Sequence, residues 1–291
     1  MAAQEDRKKH RRISGHGEGG VDVVLSVDAV QQEAEKLAAE APDRAHLLEL
    51  AGGAPLLTIE ELNAGYGRME ILHGLELAVG KGQSLCLIGP NGAGKSTVLH
   101  SIYGFTSIFS GKVMMNGEDI TGLKPNEKLK TAGIAYILQD NSVFPDMTVE
   151  ENLWMGGFLL NDPAQAKSRA EEVFTKYPRL AERRRQKASV LSGGERRLLE
   201  ISRALIMRPQ VLLVDEPSIG LEPRFIDMVF DILDDLQHHE GKTIIMVEQN
   251  AKKGLEFADI GYVLVSGQLV KAAPGDELLR DPDVGRLFLG G

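Results

Sequence analysis

Nine consecutive residues, Gly89-Pro90-Asn91-Gly92-Ala93-Gly94-Lys95-Ser96-Thr97, match the pattern G-x-x-x-x-G-K-[ST]. Glycines at that spacing let successive backbone N–H groups point at an anion, and the helix that follows adds its positive end to the same spot. Lys95 is then placed to reach β- and γ-phosphates, and the Ser96 hydroxyl to ligate Mg²⁺. A Gly-rich turn that happens to carry Lys-Ser is the alternative. The apolar run Ser84 to Ile88 before it and Val98 to Ile102 after it supply the strand-turn-helix context of a nucleoside triphosphate site.

Two more stretches offer chemistry. Val211 to Val214 read as a buried strand ending in Asp215 and Glu216. Asp215 suits Mg²⁺ or its water shell, and Glu216, one residue on, suits polarising an attacking water. Ser192-Gly193-Gly194-Glu195, after Leu191, opens a predicted helix over 196–207 with Leu198, Ile201 and Leu205 as its apolar stripe and Pro209 beyond it. Such a helix start is a second anion site. Gln139 ends a predicted strand from Ile134 to Leu138, at the edge where open α/β sheets place ligands, and there it could bind Mg²⁺ and water. Tyr66, between Gly65 and Gly67 upstream of the loop, could stack on a base.

The elements that must position these residues follow in order. Residues 1–54 read as an extension. It holds a polar stretch with the cluster Arg7-Lys8-Lys9-His10-Arg11-Arg12, read as disordered, then an amphipathic helix between Val27 and Leu50 with Val27, Val30, Ala34, Leu37 and Ala38 on one face. From 55 to 291 the texture is that of one domain. Alternating strands bracket Tyr66, and apolar strands and helices follow. An inserted helical region spans about 143–205, with Thr148 as an N-cap and helices predicted over 163–177 and 180–187. The run Arg183-Arg184-Arg185 reads as a solvated helix face.

Composition narrows the partners. The 291 residues carry a net charge of −9, which argues against nucleic acid as the main partner. No apolar run reaches bilayer-spanning length, so work at a membrane would need a partner. The single cysteine, Cys86, excludes an internal disulfide and points to a cytosolic compartment.

Taken in this order, Tyr66, the loop at Gly89 to Thr97, Gln139, Leu191 to Glu195, and Asp215-Glu216 resemble the ATP-binding cassette ATPases, the motor subunits of ABC transporters. The resemblance covers the chain from about Leu56 onward. It implies an α/β fold, a P-loop (RecA-like) core with an antiparallel β subdomain and an inserted helical subdomain. It also implies ATP and Mg²⁺ as ligands and two cassettes meeting head to tail, the Ser192-Gly193-Gly194 signature of one capping the ATP held by the other. Two transmembrane permease subunits would receive the stroke through a groove near Gln139, holding the cassette at the cytoplasmic membrane face.

Finer tracts, Val143 to Leu153, Asp215 to Pro223, and Asp281 to Gly290, are similar to the second ATPase of branched-chain amino acid importers. That implies a heterodimer with another ATPase, a homodimer being the alternative, and an extracytoplasmic binding protein that selects the solute. Urea or amide uptake and a soluble cassette switch are the competing readings. Two positions depart from the general cassette pattern. Glu222 follows Leu221 where an aspartate is usual, and Gln249 stands where most cassettes have a switch histidine, a feature shared by the branched-chain group. A glutamine there can bond a γ-phosphate but carries no proton at neutral pH.

Overall fold

The computed structural model describes residues 41–139 and 142–288; the Arg7 to Arg12 cluster and the face formed by Val27, Val30, Ala34, Leu37 and Ala38 lie outside the described residues. The chain runs α1 (Arg44–Leu50), β1 (Pro55–Tyr66), β2 (Met69–Gly80), β3 (Ser84–Ile88), α2 (Lys95–Tyr103), β4 (Ser107–Met115), β5 (Glu118–Asp119), α3 (Pro125–Lys130), β6 (Ile134–Ile137) and α4 (Val149–Gly156). It continues through α5 (Pro163–Lys176), α6 (Pro178–Glu182), α7 (Gly193–Leu205), β7 (Val211–Asp215), α8 (Pro223–His238), β8 (Thr243–Val247), α9 (Ala251–Phe257), β9 (Ile260–Val265), β10 (Gln268–Pro274), α10 (Gly275–Arg280) and α11 (Pro282–Phe288).

β3, β7, β8 and β9 are buried along their whole length because both faces of their sheet are covered. Side chains alternate between two cores. Leu85, Leu87 and Leu213 join Leu57, Ile59 and Val98 on one face, while Cys86, Ile88, Leu212 and Val214 join Phe230 and Leu233 on the other. The strand order is β10-β9-β3-β8-β7-β6, parallel except for the β9–β10 hairpin. The carboxyl ends of β3, β6, β7 and β8 therefore share one edge, where Gly89, Gln139, Glu216 and Glu248 follow. A second, antiparallel sheet, β2-β1-β4-β5, lies across the first core. The expected α/β core, antiparallel sheet and helical insertion are all present.

α1 ties the two sheets together. Asp43 caps it by accepting from the His46 N–H at 2.8 Å, and Leu47 is buried. Arg44 pairs with Glu60 and Glu76 of the small sheet, while the His46 ring bonds the Ala272 carbonyl of β10 at 3.1 Å.

The helical insertion has its own core of Val149, Leu153, Phe174, Leu180 and Leu198. Thr148 is the N-cap of α4, with Glu151 completing a capping box. The helix expected over 180–187 stops at Glu182. Beyond it the chain pairs with the start of α4: Lys187 bridges Thr148, and the carbonyls of Arg184 and Gln186 accept from the N–H groups of Glu150 and Val149, both at 3.0 Å, which have no partner inside α4. The arginine run is not a merely solvated face either. Arg184 pairs with Glu150 and Glu171 and lies over the Phe174 ring, and Arg183 pairs with Glu195.

Behind the phosphate-loop helix, Lys128 is fully buried and donates to the Ile102 carbonyl at 2.6 Å, near the negative end of α2. Burial, opposed by nearby Asp119, lowers its pKa from 10.5 to about 8. Below pH 8 the lysine is charged in both folded and unfolded states; between 8 and 10.5 the unfolded chain binds more protons, so stability from this group rises with pH. Urea midpoints should shift in favour of the native protein relative to Lys128→Met between pH 7.5 and about 10; a constant difference would contradict the shifted lysine.

Candidate functional site

The loop between β3 and α2 is shaped by close approach. Gly89 adopts φ +149°, and a Cβ there would sit 2.1 Å from the Leu264 carbonyl oxygen, so no other residue fits. Gly92 and Gly94 also take positive φ, Ala93 is buried, and Asn91 is exposed. Lys95 folds over the loop and donates to the carbonyls of Gly89 at 2.9 Å and Pro90 at 3.0 Å. Burial lowers its pKa, against the pull of Glu216 and Asp215, the two carboxylates it faces. Thr97 is buried inside α2.

Ser96 and Asp215 meet. The Ser96 hydroxyl donates to Asp215 Oδ1 at 3.1 Å, while Tyr136 donates to Asp215 Oδ2 at 2.8 Å. Burial, then the charge of Asp215, pushes the Tyr136 phenol up, so it stays a donor. Glu216 sits at φ +43°, a left-handed conformation uncommon for a side chain of its size. Its N–H donates to the Val247 carbonyl at 2.8 Å, and its Oε2 accepts from Gln139 Nε2 at 3.0 Å. The structure thus pairs Gln139 with Glu216, one residue from the Ser96–Asp215 pair expected to share it.

Ser192 is the N-cap of α7 in a reciprocal box. Its hydroxyl accepts from the Glu195 N–H at 3.3 Å, and Glu195 Oε2 accepts from the Ser192 N–H at 3.0 Å. Burial disfavours the Glu195 carboxylate, but the bonds from Ser192 and Arg183 outweigh it and hold the pKa below the usual range. Gly194 is required sterically, because a Cβ there would lie 2.2 Å from the Phe225 ring of α8. Gly193 has only Leu221 nearby, at 3.5 Å.

Tyr66 is 44% exposed at the end of β1, and its hydroxyl bonds His100 Nδ1 of α2. The two rings lie edge to face, centroids 6.0 Å apart. Gln249 is exposed just beyond β8. Its neighbour Glu248 is the more structured residue: it is 2% exposed and accepts from the Ser218 hydroxyl at 2.8 Å and the Asn250 N–H at 2.9 Å. Reasoning from the sequence missed Glu248, Tyr136 and His100. Their only signal was position, at a strand end, one strand over, and one turn into the loop helix.

A phosphate loop at the carboxyl edge of a parallel sheet, joined to a strand-end acid pair and accompanied by a capped Gly-Gly helix start, defines an ATPase built on the P-loop plan. The family model described as ABC transporter matches residues 72–219. The chain is 41% identical over 236 residues to the high-affinity branched-chain amino acid transport ATP-binding protein BraG of Pseudomonas aeruginosa, a match covering 81% of this chain and all of that protein. It is 38% identical to the probable branched-chain amino acid transport ATP-binding protein LivF of Archaeoglobus fulgidus, covering 81% of this chain and 99% of that one. A crystal structure of a nucleotide-free ATP-binding cassette from an ABC transporter superposes with a TM-score of 0.71 at 30% identity, over 81% of this chain and 100% of that chain. This chain belongs to the ABC transporter family as an ATP-binding, ATP-hydrolysing subunit. No helix among the described residues is long and apolar enough to cross a membrane.

Proposed function

We propose that this subunit hydrolyses ATP to drive uptake of branched-chain amino acids through partner permeases on the cytoplasmic membrane face. The observation that carries the hydrolytic part is the convergence of Ser96, Asp215, Gln139 and Glu216 at one sheet edge, within hydrogen-bond distance in pairs of 3.1 and 3.0 Å. The solute reading rests on the two branched-chain transport relatives.

In this reading the loop N–H groups and Lys95 hold the β- and γ-phosphates, and Tyr66 flanks the base. Glu216 orients and deprotonates the attacking water, with Gln139 fixing its carboxylate. The donors at Ser96 and Asp215, a hydroxyl and a carboxylate, suit a hard cation; among the described residues no cluster of three His, Cys, Asp or Glu forms a separate metal cage. Ser96 and Asp215, with Gln139 beside them, would hold Mg²⁺, and the ion would supply charge neutralisation for the phosphates. Ser192 to Glu195 serve the site of a second cassette, a different ATPase in our reading, and Gln249 approaches the γ-phosphate as a neutral hydrogen-bonding group.

A groove of about 330 Å³ between the sheet edge and the helical insertion, walled by Tyr136, Phe144, Met155, Phe158 and Arg203, is the seat for a permease segment. The test is ATP hydrolysis by the transporter reconstituted with its permeases and its solute-binding protein. Stimulation by leucine-loaded but not empty binding protein is expected; equal rates with both would overturn the solute reading while leaving the ATPase intact.

A further inference from the structure

Arg197 and Glu200 are an ion pair on α7 at 2.9 Å, and both are nearly inaccessible, 5% and 6% exposed. Taking two charges out of water gains little stability over an apolar pair of similar volume. What the guanidinium does with its other bonds is more telling. Arg197 Nη1 also donates to the Leu138 carbonyl at 2.7 Å, and Nη2 to the Asp215 carbonyl at 3.3 Å. Leu138 precedes Gln139, and Asp215 precedes Glu216. One planar group therefore grips the two strand ends whose next residues make the Gln139–Glu216 hydrogen bond.

The grip at Asp215 has a particular effect. Its carbonyl belongs to the same rigid peptide unit as the Glu216 N–H, and that N–H is held from the other side by the Val247 carbonyl at 2.8 Å. That peptide plane is fixed at both ends, and the Glu216 carbonyl on the next plane accepts from the Ile219 N–H at 3.2 Å, so the left-handed φ between the two planes is held by its surroundings. Glu200 supplies the counter-charge that lets the guanidinium stay buried, and it also forms part of the wall of the groove beside Arg203 and Phe144.

We infer that the Arg197–Glu200 pair is a positioning device for hydrolysis: it locks the Gln139 and Glu216 strand ends in one frame carried by the signature helix. Neither residue touches the reacting atoms. The inference rests on Glu216 being the hydrolytic carboxylate, and the experiment separates the two.

Kinetics, equilibrium ATP binding and melting are measured for Arg197→Lys, for the double variant Arg197→Met/Glu200→Leu, and for Glu216→Gln. Lysine keeps the charge but cannot fork between two carbonyls. Arg197→Lys is expected to lower kcat at least about tenfold, because a reacting group displaced by about 1 Å costs up to about 10²-fold, while ATP affinity stays within about twofold of native. The apolar pair leaves the Leu138 and Asp215 carbonyls without this donor, so it should melt somewhat lower than the native protein, with the same loss of kcat and ATP affinity kept within about twofold. Native kcat in either variant overturns the inference, and so does a kcat loss that comes with matching losses of ATP affinity and melting temperature, which would assign the pair to the fold alone. Undiminished hydrolysis by Glu216→Gln would instead remove the reading on which the inference stands.

Discussion

Glu216→Gln is expected to bind ATP with native affinity and to hydrolyse it about 10²- to 10⁴-fold more slowly, the range a positioned general base contributes. The substitution preserves shape and removes only the basic oxygen. The Gln139 contact at 3.0 Å retains an acceptor in the new amide oxygen, so the local frame survives. Phosphate release under saturating ATP measures the rate. Size-exclusion chromatography with ATP supplies a second readout, since a cassette pair that closes on ATP but cannot hydrolyse it should elute as a stable dimer. Unchanged turnover would exclude Glu216 from the reaction.

Lys95→Ala is expected to affect the other half of the site, ATP binding itself. Lys95 already holds the Gly89 and Pro90 carbonyls at 2.9 and 3.0 Å, so its ammonium sits at the mouth of the loop. Hydrogen bonds to charged groups contribute about 1.5–3 kcal/mol each. Losing two to the phosphates corresponds to an affinity loss of about 10²-fold or more, at 1.4 kcal/mol per factor of ten. Calorimetric titration with ATP in the hydrolysis-deficient Glu216→Gln background isolates binding from turnover. Native affinity there would show that the loop backbone alone holds the nucleotide.

The parts of this site legible in the sequence are those encoded within a few residues. The loop announces itself by glycine spacing between an apolar strand and a helix. The boxes at Thr148 and Ser192 are set by a hydroxyl and a glutamate three residues on, and the structure forms both. Apolar runs such as Val211 to Val214 read directly as strands covered on both faces. What stayed hidden depends on groups far apart in the chain. Residues 183–187 look helical locally, but their carbonyls serve the start of α4, some 35 residues earlier in sequence. Arg197 and Glu200 resemble any charged pair on a helix until β6 and β7 close over them. Glu248 stands beside the eye-catching Gln249 and is distinguished only by burial and by its bond from Ser218, 30 residues away.

The lone sulfhydryl, Cys86, is fully buried in β3, and burial raises its pKa. A thiol both shielded and protonated is nearly inert to maleimides and nitroxide reagents. The native chain is therefore already a blank background for site-specific labelling. A single Val190→Cys substitution, at a position 65% exposed just ahead of the signature, would give one label per copy. Two labelled copies would then yield one inter-subunit distance, a ruler for the closing and opening of a cassette pair.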